Sequence, residues 1–169
     1  MAKTHATMTH EDAERELRAY GIEGPQVYLV DTVPLIEMMW ADGSIQKAEL
    51  SLFEKYLERH VASVNERAGR EVVTRYEAFK FASRFFEERP APELLRALRT
   101  LVASVSGHGA EQRRAVKTSL LAACMDIASS ASSPLPYAEG TAFDPEERAC
   151  FFEILDTFGT GRGSRPARR

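Results

Sequence analysis

Residues 38–57 read MMWADGSIQKAELSLFEKYL. An apolar run ends in an acid–glycine pair, Asp42-Gly43. Glycine accepts the positive φ that a tight turn demands, so the pair reads as a turn. Ile45, two positions after the glycine, is placed to drop into the core and anchor the loop. Glu49 then falls in the first turn of a following helix, where the helix dipole favours negative charge. Beyond it, Phe53, Leu57, Val61 and Val64 recur at three- to four-residue spacing on one face. Lys47, Glu54, Lys55, Glu58 and Glu66 lie mostly on the other, and Gly69 ends the helix. The stretch is therefore a helix–acidic loop–helix unit.

The same unit recurs in AEGTAFDPEERACFFEIL, residues 138–155, with one extra residue after the glycine. Asp42-Gly43 meets Glu139-Gly140, Ile45 meets Phe143 and Glu49 meets Glu147. Phe53, Tyr56 and Leu57 meet Phe151, Ile154 and Leu155. The preceding helices compare as well, Met38-x-x-Ala41 against Met125-x-x-Ala128. The second copy inserts SSASSPLPY before its acidic loop. A match in register over this length points to an internal repeat.

Helix signals fill the remaining chain. Thr9 and Asp12 open a first helix through about Tyr20, and Gly21, Gly24 and Pro25 break it. The apolar segment QVYLVDTVPLIEMMWA is expected to be buried, with a kink or short break at Pro34. Thr74 and Glu77 form a capping-box signature before an aromatic-rich helix holding Tyr76, Phe79, Phe81, Phe85 and Phe86. That helix is expected either to be fully buried or to form part of a partner groove. Pro90 and Pro92 end it and start a helix with Leu94, Leu95, Leu98, Leu101, Val102 and Val105 on a broad apolar face. After Gly107 and Gly109 comes a helix with Val116, Leu120, Cys124 and Ile127 in register. Asp144, Pro145 and Glu147 give the last helix a cap, a first-turn proline and an acid. That helix is expected to bury Phe151, Ile154, Leu155 and Phe158. No segment alternates like a strand. The expected fold is all-α: a compact bundle of about seven helices with two pseudo-symmetric helix–acidic loop–helix units. Residues 1–24 form an N-terminal helix and lead-in. Residues 25–158 form the helical domain, with repeat units at about 26–66 and 110–158. Residues 159–169 form a basic tail expected to be disordered.

Composition narrows the function. Net charge is −3, but the tail carries Arg162, Arg165, Arg168 and Arg169 with no acid. Without those four, 18 basic residues of the 22 face 25 acidic ones, and the body is near −7. An acidic body argues against nucleic acid as a specific partner and is compatible with cations. No apolar run reaches the ~18–20 residues of a membrane span, and the N-terminus has no secretory pattern. A cytoplasmic location is the expectation, with peripheral membrane association through partners left open. Cys124 and Cys150 lack C-x-x-C spacing. No His stands beside Ser or Cys as a nucleophile–base pair, and GTGRGS in the tail lacks the strand and helix of a phosphate loop. His60, at the edge of an apolar helix face, is expected to be a satisfied structural histidine.

The Asp42-Gly43-x-Ile45-x-x-x-Glu49 spacing matches the second half of an EF-hand loop, with glycine at its sixth position and glutamate at its twelfth. The first and third ligand positions would be Met38 and Trp40, which cannot ligate calcium. The loop is not an EF-hand. Asp42 and Glu49 are the leading metal-ligand candidates, with Glu139, Glu147 and Asp126 as helpers. Asp126 would face the same region if the two halves pair. A turn residue and a helix-start residue account for Asp42 and Glu49 equally well without a metal.

At these residues the chain resembles the TerB-like (tellurite-resistance B) family, whose members carry A-D-G, an apolar residue and a downstream Glu in two related helical halves. The resemblance covers about residues 26–158, with motif support near 38–57 and 139–155. The second half departs from the pattern, with Glu139-Gly140 for Asp-Gly and a proline–serine insertion. The resemblance implies an all-α pseudo-twofold bundle, an acidic cluster proposed to bind a divalent cation, and association with bacterial stress, phage-defence or metal-response systems. It implies no catalytic activity. The chain also lacks the H-P-D tripeptide of the co-chaperone J-domains to which related domains are fused.

The resulting expectation is a non-enzymatic domain that binds Ca²⁺ or Mg²⁺, or a partner protein, through its acidic loops. A helical protein–protein interaction module without metal is the first alternative, and a metal-dependent enzyme the second. Oligomeric state is not legible.

Overall fold

The computed structural model describes residues 10–105, 110–131 and 145–159. Among these there are seven α-helices and no strand. They are α1 (His10–Ala19), α2 (Val33–Met39), α3 (Lys47–Ala68), α4 (Arg75–Ser83), α5 (Pro92–Val105), α6 (Ala110–Ala131) and α7 (Pro145–Gly159). A 3₁₀ helix, Gly24–Thr32, leads into α2. The fold is an all-α bundle. Residues 129–131, the first of the inserted SSASSPLPY, are the last of α6; the rest of the insertion and the basic tail from residue 160 lie outside the described residues.

Helix α2 is the centre. Six of its seven residues, Val33, Pro34, Leu35, Ile36, Met38 and Met39, are buried, and Glu37 is half-buried. A helix that is apolar all round must be enclosed. Here α3, α5, α6, α7 and the 3₁₀ segment all pack on α2. Pro34 sits in its first turn, where the missing N–H would have no intrahelical partner. The expected break is therefore the change from 3₁₀ to α geometry at Val33, one residue before the proline.

Helix α3 carries its core face as the spacing predicts: Phe53, Leu57, Val61 and Val64 are buried. Gly69 closes it with φ 67°, a left-handed conformation that glycine adopts without a Cβ clash. Its main partner is α6, which contributes buried Leu120, Cys124, Ile127 and Ala128. Helix α6 also packs on α2 and α7, so α3 and α7 both rest on the α2–α6 pair.

The aromatic segment differs from expectation. Helix α4 ends at Ser83, and Phe85 and Phe86 follow in a turn, their N–H groups donating to Ala82 and Ser83 carbonyls at 3.0 and 3.1 Å. Phe81 and Phe85 are buried, and Phe86 meets Phe53 edge-to-face at 5.5 Å. Tyr76 and Phe79, on the other face of α4, are 74% and 53% exposed, so the helix is not enclosed. In α7, Ile154 is buried, whereas Phe151, Leu155 and Phe158 are half-buried rather than buried.

Candidate functional site

The first acidic loop is built by short-range chemistry. Gly43 has φ 96°, a conformation that a side chain strains, and its N–H donates to the Trp40 carbonyl at 2.9 Å. Asp42 is exposed. Its Oδ1 accepts the Ser44 N–H at 3.1 Å, and its Oδ2 accepts from the Gln46 amide at 3.3 Å. The carboxylate is thus turned back onto its own loop. Trp40 fixes the loop from outside, its indole N–H donating to the Phe85 carbonyl at 2.8 Å. Ile45 packs against the core as an anchor.

Glu49 stands at the third position of α3, and its Oε2 accepts the Gln46 N–H at 2.8 Å. That is half of a capping box. The second capping box of the chain shows what such a glutamate ordinarily looks like. At the start of α4, Glu77 accepts from the Thr74 N–H at 2.8 Å while Thr74 accepts from the Glu77 N–H at 3.1 Å. Glu77 is partly exposed, and its carboxyl is held below its usual range, first by the Thr74 backbone hydrogen bond and then by the hydroxyl. Glu49 is 0% exposed. Capping alone does not require that burial.

Glu147 occupies the corresponding third position of α7 and is 2% exposed. Glu49 and Glu147 are the only carboxylates among the described residues in the fully buried class. Both stand in the first turn of a helix that rests on the α2–α6 pair.

Asp126 is placed elsewhere. It is exposed on α6 and lines a groove between α3 and α6, to which none of Asp42, Glu49 and Glu147 contributes. Glu139 lies outside the described residues. Among the described residues no three His, Cys, Asp or Glu side chains form a group able to hold a metal ion. The structure thus sets Glu49 and Glu147 apart by burial, commits Asp42 to its turn and puts Asp126 in a separate groove.

His60 is satisfied, as its position on the helix predicts: Nε2 donates to the Tyr28 carbonyl at 2.7 Å, and the ring stacks on Tyr56 at 6.1 Å. Sequence reasoning missed an ion pair. Arg99, 3% exposed on α5, reaches Glu37 of α2 at 2.5 Å and Glu153 of α7 at 3.4 Å. Among the described residues, Arg99 Nε and Glu37 Oε2 are buried with no hydrogen-bond partner. Burial raises the Glu37 carboxyl above its usual range against the opposing pull of Arg99. The signal was available as a single acid inside VPLIEMM and as the second of the two arginines inside LLRALRTLV, Arg99, which falls at an apolar position of the helical pattern.

No helix of the described residues is long and apolar enough to cross a membrane. Compared with protein-family models, curated proteins and solved structures, the chain matches none.

Proposed function

We propose that the chain is a non-catalytic, TerB-like helical domain that binds a hard divalent cation at the helix starts bearing Glu49 and Glu147, as part of a bacterial stress or tellurite-resistance type of response. The observation that carries this reading is the burial of these two carboxylates at matching positions of α3 and α7. Glu49 and Glu147 both have partners within the chain, and a hard cation adds a counter-charge to carboxylates already withdrawn from water. Carboxylate oxygens suit Ca²⁺ or Mg²⁺ better than zinc. Backbone carbonyls and water are the remaining oxygen sources. Asp42 contributes by shaping the turn, since both its oxygens are already engaged.

The test is thermal unfolding of the EDTA-treated chain with and without Ca²⁺ or Mg²⁺. A ligand at about 100 times its dissociation constant adds about 2.7 kcal/mol, a rise of several degrees for this size. The rise is expected to vanish in Glu49→Gln/Glu147→Gln, in which the amide oxygen at position 49 can still accept the capping N–H. No rise with either ion in the folded wild type removes the cation.

A second reading, a protein–protein interaction module without metal, is favoured by one observation. Tyr76 and Phe79 present a large exposed aromatic surface on α4.

A further inference from the structure

The groove between α3 and α6 is separate from the buried carboxylates. Its volume is about 790 Å³, within the range of small-ligand sites. On α3 its wall follows the row Arg59, Ser63, Arg67, spaced one helical turn apart. On α6 it presents Ser119 and Asp126, with alanine methyl groups between them. Asp31 of the 3₁₀ segment completes the rim.

Arg59 and Asp126, on opposite sides of this groove, do not pair with each other. Among the described residues, neither the Arg59 guanidinium nor the Asp126 carboxylate has an ion-pair partner. Arg59 spends only its Nε, on the Lys55 carbonyl at 3.4 Å. Its two terminal nitrogens retain the fork that matches a carboxylate. Tyr56 and His60 also line the groove; their rings stack, and His60 is tied to the Tyr28 carbonyl. A groove with an arginine on α3, an aspartate on α6, and serines and alanines also lining it suits a ligand that brings both signs.

We infer that the α3–α6 groove is a binding site for a short peptide segment of mixed charge, its acidic side chain on Arg59 and its basic side chain on Asp126. The volume exceeds what a single amino acid needs, and the Ser63 hydroxyl lines the groove beside Ser119, which is engaged with Tyr56. This site uses neither Glu49 nor Glu147, so it stands or falls independently of the cation.

The experiment titrates the isotopically labelled full chain with a panel of blocked peptides, each pairing one Asp with one Lys across glycine spacers of increasing length. Asn and Gln replace the charges in neutral counterparts. The expected result is amide shifts confined to residues 56–67 and 115–126 for at least one spacer. Binding should weaken about tenfold in Arg59→Gln, in Asp126→Asn and with the neutral peptide. Both positions are exposed, so the fold is expected to survive, and unchanged unfolding midpoints check this. Absence of groove shifts across the whole panel at millimolar peptide overturns the site. So does binding that both substitutions leave unchanged, or equal binding of the neutral counterpart.

Discussion

Arg99 of α5 and Glu37 of α2 meet at 2.5 Å inside the bundle, with 4% of the arginine side chain exposed. Removing one partner of such a pair strands a buried charge, whereas replacing both with apolar groups removes the desolvation cost as well. Arg99→Leu alone, or Glu37→Leu alone, is expected to lower stability by about 3–5 kcal/mol. The double replacement is expected to return to within about 1 kcal/mol of wild type. Urea unfolding midpoints decide; a double variant as unstable as the two singles summed would refute it.

The same glutamate gives a pH signature. Its folded pKa is raised, so the folded chain holds the proton more tightly than the unfolded chain, whose value is near 4.5. The stabilising contribution is complete below 4.5 and is lost as pH rises through the folded value. Glu37→Gln imitates the protonated side chain at every pH and, unlike leucine, keeps an oxygen that accepts from the Arg99 guanidinium, so the arginine is not stranded. Wild type and variant should therefore unfold alike in acid, and wild type should fall behind as pH climbs from 4.5. Thermal unfolding in stepped buffers checks this, and a gap independent of pH would contradict it.

Aromatic residues should separate sharply by position. Phe53 is fully buried against Phe86, and Phe53→Ala is expected to cost about 3–5 kcal/mol through lost burial and a cavity. Phe79 is 53% exposed, and Phe79→Ala is expected to change stability by less than about 1 kcal/mol. Comparable losses at the two positions would mean that α4 is covered on both faces.

The thiols should be inert in the folded chain. Burial pushes the Cys150 thiol up to about 12, with the Glu37 charge second, and raises Cys124 as well. Alkylation needs the thiolate. At pH 8 iodoacetamide should modify neither cysteine at the rate of a free thiol, and urea should release both. Native reaction at the unfolded rate would show that α6 and α7 part readily.

The acidic turn should tolerate no Cβ. Gly43 has φ 96° and open space around the missing side chain, so strain rather than crowding is at issue. Gly43→Ala is expected to lower stability by about 1 kcal/mol or more. A midpoint equal to wild type would indicate that the loop relaxes into another turn.

Much of this architecture was legible because it rests on local rules. Gly69 at the end of α3, the Thr74–Glu77 box opening α4 and the Phe53–Val64 face of α3 each follow from chemistry within a few residues. The burial of Glu49 was not legible. A cap glutamate reads the same whether its helix start is solvated, like Glu77, or enclosed, like Glu49. Only the packing around it makes the distinction. The place of Asp126 was obscured for the same reason, since the rotation of α6 about its own axis decides which neighbour it faces. The Arg99–Glu37 pair joins positions 62 residues apart, a relation no periodicity carries.

The central position of α2 bears on how the chain comes to be folded during synthesis. Seven residues are too few to hold a helix in water without partners. Two of the helices that enclose α2, α6 and α7, emerge from the ribosome only after residue 110, and α7 only after residue 145. Until then Met38, Met39 and their neighbours have no complete shelter. Closure of this core therefore waits for α7, and a chain halted before it presents the apolar surface that chaperones and proteases recognise.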